Sequence, residues 1–225
     1  MNQLCLQLNY TFQHRELLGE ALSHRSFSSC NYERLEFLGD SVLSFVISEE
    51  LYRRHPELDE GALSRLRATL VRGTTLSLIA RELELGRYLQ LGSGELKSGG
   101  HERDSILADA VESIIGAVLV DGGFEACRIL ILRLFTARLE QLPAAGDLKD
   151  PKTRLQEKLQ GAGIPVPQYA VIATAGEAHA REFTVSCEIA EFSLLTEATA
   201  SSRRKAEQAA ATLMLEQATI VGLKK

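Results

Sequence analysis

Asn31-Tyr-Glu-Arg-Leu-Glu-Phe-Leu-Gly-Asp40-Ser-Val-Leu43 is strongly apolar and helical in spacing, yet it carries three acids. At about 100° per residue, Glu33, Glu36 and Asp40 fall within an arc of roughly 60° on one helix face. The segment Ser105-Ile-Leu-Ala-Asp109-Ala-Val-Glu112-Ser-Ile-Ile-Gly-Ala-Val-Leu119 repeats the anomaly, with Asp109 and Glu112 three apart in a run that is apolar nearly all round. Such a helix belongs in a core. Carboxylates clustered in apolar surroundings repel one another and resist desolvation, so they must protonate, pair with arginine, or bind a cation. For any single acid, Arg34, Arg103 or an N-cap role is a sufficient explanation. Two apolar helices that each present aligned acids point instead to a metal site. Oxygen-only ligands without nearby Cys or His suit a hard ion such as Mg2+ or Mn2+, which keeps waters and attaches to phosphate. The implied chemistry is metal-assisted phosphoryl transfer.

Outward from these two segments, residues 14–142 read as an all-helical bundle, with helices expected at 15–22, 33–54, 61–83, 105–119 and 124–141. Breaks are expected at His55-Pro56, Gly92-Ser-Gly94, Ser98-Gly-Gly100 and Asp121-Gly-Gly123. The character changes after Pro143. A helix at 151–160 precedes three alternating runs, at 169–174, 182–189 and 194–199, and an alanine-rich helix at 203–217. The order α-β-β-β-α describes a small α+β domain with helices on one face of an antiparallel sheet. The expected division is therefore a helical domain at 1–145, a linker at 146–150, the α+β domain at 151–220 and a tail at 221–225.

The 225 residues hold 25 Lys plus Arg against 30 Asp plus Glu, 45% hydrophobic and 24% charged, which excludes a disordered, collagenous or coiled-coil chain. The net charge of −5 argues against a generic nucleic-acid coat, since phosphate binding rests on Lys and Arg. It leaves room for a nucleic-acid enzyme whose cations are clustered and whose acids hold metal. No stretch approaches the roughly 20 apolar residues of a bilayer span, and Met1 to Tyr10 lacks the charged start of a secretory signal. Cys5, Cys30, Cys127 and Cys187 stand far apart, so a reducing, cytoplasmic setting without membrane association is expected. His24 reads as a packed or hydrogen-bonded histidine, and no GxSxG elbow follows a strand. The glycines at 92, 94, 99 and 100 follow a helix and lack the GK[ST] ending of a phosphate loop, so they read as a flexible loop.

With these residues in view, the chain resembles bacterial ribonuclease III. The stretch Glu33-Arg-Leu-Glu-Phe-Leu-Gly-Asp40-Ser matches that family's signature, and Arg103-Asp-Ser-Ile-Leu-Ala-Asp109-Ala-Val-Glu112 its second acidic motif. Asp59-Glu-Gly-Ala-Leu-Ser-Arg-Leu-Arg67, Gly94-Glu-Leu-Lys-Ser-Gly-Gly100 and the C-terminal double-stranded RNA-binding pattern match as well, so nearly the whole chain is covered. The resemblance implies a homodimeric double-strand-specific endoribonuclease that uses Mg2+, with Mn2+ able to substitute. Glu36, Asp109 and Glu112 would ligate the metal, Glu112 and Asp40 would be catalytic, and Glu33 and Glu60 would be accessory residues near the cleft. Products would carry 5′-phosphate and 3′-hydroxyl ends, and targets would be precursors of ribosomal, transfer and messenger RNA.

In the C-terminal part the expected RNA contacts are Thr153, Gln156, Glu157 and Gln160 on the first helix, His179 in a turn, and Ser202, Arg203, Arg204 and Lys205 at the start of the last helix. The last group puts three cations beside the positive end of a helix dipole, suited to phosphates flanking an A-form groove. The plainer readings are a solvated helix end for Arg203 to Lys205, a turn cap for His179 and a helix surface for Gln156 and Glu157. Ala200 stands where that domain usually has glycine. Two other functions compete: a non-catalytic double-stranded RNA-binding dimer, and a helical phosphohydrolase of small nucleotides. The first would be expected to have lost acids that are present here, and the second gives no account of the C-terminal module.

Overall fold

Two residues before the decisive helix begins at Glu33, Asn31 accepts the Glu33 N–H through its Oδ1 at 3.0 Å and so satisfies one of the free amides of the first turn. The computed structural model describes residues 2–143, 149–177 and 180–220, with side chains described except at 218–220. The chain divides into two compact units, Met1–Ala145 and Gly146–Lys225. The helices of the first are α1 (Asn2–Leu8), α2 (Arg15–Ala21), α3 (Glu33–Arg54), α4 (Glu60–Val71), α5 (Gly73–Glu82), α6 (Ser93–Lys97) and α7 (Asp104–Glu140).

Helix α7 is the axis of this unit. Ile106, Leu107, Ala110, Val111, Ile114, Ile115, Ala117 and Val118 are all buried, as a helix apolar on every side requires. It packs against α3 along one side and α5 along another. Ser113, fully buried, donates to the Ala21 carbonyl at 2.5 Å and ties α2 to it. The α3–α7 crossing is set by two glycines. A Cβ on Gly39 would be driven into the Glu112 carbonyl, and one on Gly116 into the Leu35 carbonyl. Backbone therefore meets backbone, a closeness that only Gly at both positions allows. Further along, Gly123 breaks α7 with φ 78°, at the point where Asp121-Gly-Gly123 predicts an end to the helix.

The structure amends the sequence reading at three places. The helix expected over 61–83 is two, because Arg72 takes an extended conformation between α4 and α5, and the Thr75 hydroxyl donates to the Thr69 carbonyl at 2.8 Å across the break. The glycine-rich segment expected to be a flexible loop holds the short helix α6, with Ser93 and Gly94 in its first turn. Helix α1, which the sequence reading passed over, buries Leu4 and Leu8.

The second unit runs α8 (Pro151–Gly161), β1 (Gln168–Ala175), β2 (Glu182–Ile189), β3 (Leu194–Ala200) and α9 (Arg203–Ile220), the α-β-β-β-α order that the sequence predicts. Asp150 caps α8 through the Thr153 N–H and hydroxyl, with Pro151 in the first turn. The sheet is antiparallel in the order β1-β2-β3. Its inward residues Val185, Cys187 and Ile189 are buried, as are Leu155 and Leu159 of α8 and Ala206, Ala210, Ala211 and Met214 of α9. Alanine on α9 lets that helix lie close to the sheet, where the Thr196 hydroxyl reaches the Ala210 carbonyl at 2.8 Å. No helix among the described residues is long and apolar enough to cross a membrane.

Candidate metal centre and nucleic-acid surface

The glycine crossing brings the two acidic segments together. Glu36 of α3 and Asp109 and Glu112 of α7 each offer a carboxylate oxygen, and these oxygens lie within 4.8 Å of one another. Oxygens bound to one Mg2+ at about 2.1 Å are roughly 3 Å apart when adjacent and roughly 4.2 Å apart when opposite. Small side-chain rotations therefore suffice to close the three onto a single ion. The donor set, all carboxylate and half-buried, fits a hard divalent cation.

Electrostatics point the same way. Burial, then the charges of Asp109, Glu33 and Asp40, push the Glu36 carboxyl up to about 7. Burial, then Asp40, Asp109 and Glu36, push Glu112 up to about 8, and Asp109 is raised chiefly by burial. Asp40 is exposed at the rim and acts on both glutamates through its charge. Glu50 shows how α3 handles a buried acid that has no ligand to hold. It is 1% exposed, yet bonds from Arg53 at 2.7 Å and Arg54 at 2.5 Å outweigh burial and keep its carboxyl below the usual range. Among the described residues no ion pair reaches Glu36, Asp40, Asp109 or Glu112. Arg103, one of the two cations that offered a plainer explanation, pairs with Glu95 at 2.5 Å instead.

This frustration predicts a pH dependence. Glu36 and Glu112 have folded pKa values above their unfolded value near 4.5, so their contribution to stability is fully present below that value. It is lost as pH rises through about 7 and 8. In chelator, a Glu36→Gln, Glu112→Gln variant is expected to lose less stability than the parent between pH 5 and 8.5. The difference should be on the order of 1–2 kcal/mol, about 2–8 °C in melting temperature, read by thermal denaturation at each pH.

The remaining sequence candidates are distributed as follows. Glu33 is exposed, adds to the charge on Glu36 and lies 3.5 Å from Arg25. Glu60 sits in the first turn of α4, accepts the Ser64 hydroxyl at 2.8 Å, and is outside the cluster. Thr153, Gln156, Glu157 and Gln160 follow one exposed face of α8, opposite Leu155 and Leu159. Glu157 is held by Lys149 at 2.7 Å. At the start of α9, Arg203, Arg204 and Lys205 are exposed, Arg203 reaches Glu207 at 2.9 Å, and the Ser202 hydroxyl accepts the Lys205 N–H at 3.3 Å. His179 lies outside the described residues.

Sequence reasoning left three features unassigned. Gly39 and Gly116 are the spacers that set the site, and the signal for each is a glycine within four residues of an acid on an apolar helix. Tyr32, 3% exposed, donates to Asp109 Oδ2 at 3.4 Å. Burial and the charges of Asp109 and Glu36 hold its hydroxyl well above the ordinary tyrosine range, so it stays a neutral donor. The apolar face of α3 also divides: Val42, Leu43, Val46 and Ile47 are buried, whereas Phe37 is 77% and Phe45 58% exposed. Phe45 meets Phe124 of α7 edge-on at 5.9 Å, so these two rings form an exposed pair.

Comparison with known proteins agrees with both units. Residues 14–139 match the family described as Ribonuclease-III-like, and residues 151–218 the Double-stranded RNA binding motif. The chain is 57% identical over 219 residues to Ribonuclease 3 of Vibrio cholerae and 58% identical over 219 residues to that of Vibrio vulnificus, covering 97% of each chain in both cases. Among solved structures, the nuclease domain of Ribonuclease III from Campylobacter jejuni superimposes with a TM-score of 0.61 at 42% identity, spanning 64% of this chain and 98% of that one. A second structure of that domain, described as flexible in the region involved in its dimer formation, gives 0.59 at 44% identity, over 60% of this chain and 95% of that one. A helical unit that gathers acids, followed by a double-stranded RNA-binding fold and matched nearly end to end at such identity, places this chain in the ribonuclease III family.

Proposed function

We infer that the chain is a double-strand-specific endoribonuclease that works with Mg2+, or Mn2+ in its place, and leaves 5′-phosphate and 3′-hydroxyl ends. The observation that carries this reading is the set of three carboxylates on two apolar helices, with oxygens within 4.8 Å, in a chain that also has a duplex-RNA module. Glu36, Asp109 and Glu112 would hold the ion, with Glu112 and the rim residue Asp40 as the catalytic acids. When bound, such an ion lowers the pKa of an attacking water and offsets charge on the phosphoryl oxygens. The protein's part is to fix its carboxylates across a rigid helix crossing, at a spacing a side-chain rotation can close. His24 is buried with Nδ1 bonded to Ser26, so it is not placed as a general base for a 2′-hydroxyl. That supports attack by water.

Glu33 and Glu60 would be accessory residues near the cleft, Glu33 toward the dimer and substrate side. The exposed rings of Phe37, Phe45 and Phe124 on α3 and α7 support a homodimer of the nuclease unit, residues 1–145, because a second copy would bury them. The four free cysteines support a cytoplasmic setting.

In the RNA-binding unit, residues 151–220, the exposed face of α8 and the Ser202–Lys205 cluster would grip the duplex across two minor grooves, with His179 as a further contact. Changing Arg203, Arg204 and Lys205 to Ala is expected to weaken duplex binding by at least tenfold at 100 mM salt and to flatten the salt dependence by about two to three phosphate contacts. Filter binding at several salt concentrations, in Ca2+ or chelator, reads both. Unchanged affinity and slope would remove these residues from the interface.

A further inference from the structure

We propose that Tyr32 is a positioning residue of the metal centre, whose hydroxyl holds the Asp109 carboxylate in the orientation that binds the ion. The inference rests on the metal-centre reading above. Of the three clustered acids, Asp109 is the one to which another side chain among the described residues donates a hydrogen bond, from the Tyr32 hydroxyl to Oδ2 at 3.4 Å. A carboxylate that turns one oxygen to a metal leaves the other in need of a donor, and that partner sets the orientation of the ligand.

The platform behind the hydroxyl is rigid. The Tyr32 ring is 3% exposed and meets the His24 ring edge-on at 5.7 Å, and its backbone N–H donates to the Ser23 carbonyl at 2.9 Å. His24 is fixed in turn. The Ser26 N–H donates to its Nδ1 at 3.1 Å, so that nitrogen is an acceptor, and the Ser26 hydroxyl reaches the same atom at 2.7 Å. The Gly92 N–H donates to the Ser26 hydroxyl oxygen at 2.9 Å, and the His24 N–H to the Gln90 carbonyl at 3.0 Å. Residues 23–26 are thereby latched to 90–92, and Tyr32 stands on that latch at the entrance to α3.

The chemical type of the donor matters as well. An arginine at this distance would neutralise Asp109 and compete with the metal, as Arg53 and Arg54 neutralise Glu50. A phenol orients the carboxylate and leaves its charge for the cation. The distance of 3.4 Å is long for a hydroxyl–carboxylate pair, so this is a weak bond.

The test is Tyr32→Phe, which keeps the ring against His24 and removes only the oxygen. The protein without RNA is titrated with Mn2+, following the free-ion signal by electron paramagnetic resonance, and cleavage of an RNA duplex is then measured across a range of Mn2+ concentrations. The expected result is about tenfold weaker Mn2+ uptake, a similar rise in the Mn2+ needed for half-maximal cleavage, and recovery of the parental kcat at saturating Mn2+ with KM for the duplex unchanged. The melting temperature in chelator should stay close to the parental value. Unchanged Mn2+ affinity overturns the proposal, as does a rate defect that saturating metal leaves in place, which would make Tyr32 a packing residue. Failure of the parent protein itself to take up Mn2+ would overturn the metal-centre reading, and this inference with it.

Discussion

Glu112→Gln is expected to lower the rate of duplex cleavage by about a thousandfold or more while leaving duplex affinity within about twofold of the parent. Glu112 carries the most strongly raised carboxyl of the cluster, pushed up to about 8 by burial and three neighbouring acids, so it is the group whose charge the fold accommodates least well without a cation. Glutamine keeps the shape and the apolar packing of α7 but loses the charge and one oxygen ligand. Its amide oxygen is neutral and binds Mg2+ more weakly than a carboxylate, and it leaves the ion's charge less well matched. Relief from repulsion should also make the variant more stable than the parent in chelator above pH 8, a stability gain coupled to lost function. Single-turnover cleavage, filter binding in Ca2+ and thermal denaturation separate the three effects. Undiminished cutting would remove Glu112 from the site.

The second large effect is expected from a single methyl group. Gly116→Ala drives its Cβ into the Leu35 carbonyl, and Gly39→Ala does the same to the Glu112 carbonyl, with backbone on both sides and no flexible side chain to give way. Either the helices separate or the variant fails to fold. Overpacking of this kind costs about 3 kcal/mol or more. A shift of about 1 Å between α3 and α7 would also spread the three carboxylates, at a cost on the order of 100-fold in rate for the protein that remains folded. Gly19→Ala in α2 is the control, since a Cβ there meets nothing within 4 Å and alanine is the better helix former. Denaturant unfolding together with Mn2+ affinity distinguishes the cases. A Gly116→Ala protein as stable and as active as the Gly19→Ala protein would contradict the close crossing.

The contrast between those substitutions shows which parts of the molecule were legible in its sequence. The extent of α3 could be read from its helical spacing up to His55-Pro56, and the three strands from the alternating runs at 169–174, 182–189 and 194–199, because these are local properties of periodicity. The break at Arg72 was not legible. Residues 60–82 keep a helical pattern throughout, and what ends α4 is an extended Arg72 and a Thr75 side chain satisfying a carbonyl six residues back. The acids themselves stood out as misfits on apolar helices. Spacing alone could not say which of them converge, a set that only the family resemblance implied, because Glu36 meets Asp109 and Glu112 through a crossing set by Gly39 and Gly116, and pairing between distant helices leaves no periodic trace. Tyr32 was hidden for the same reason: its partner Asp109 is 77 positions away. Phe37 and Phe45 share the apolar character of residues 42–47, but an α-helix of this length has two sides, and inside the unit it is Val42, Leu43, Val46 and Ile47 that are buried.

The most direct test of the account is to incubate the purified protein with a labelled RNA duplex and a matching single strand, in Mg2+, in Ca2+ and in chelator. The account predicts cleavage of the duplex alone and with Mg2+ alone, giving 5′-phosphate ends. Cleavage in chelator, equal cleavage of the single strand, or duplex binding with no cutting under any condition would contradict it.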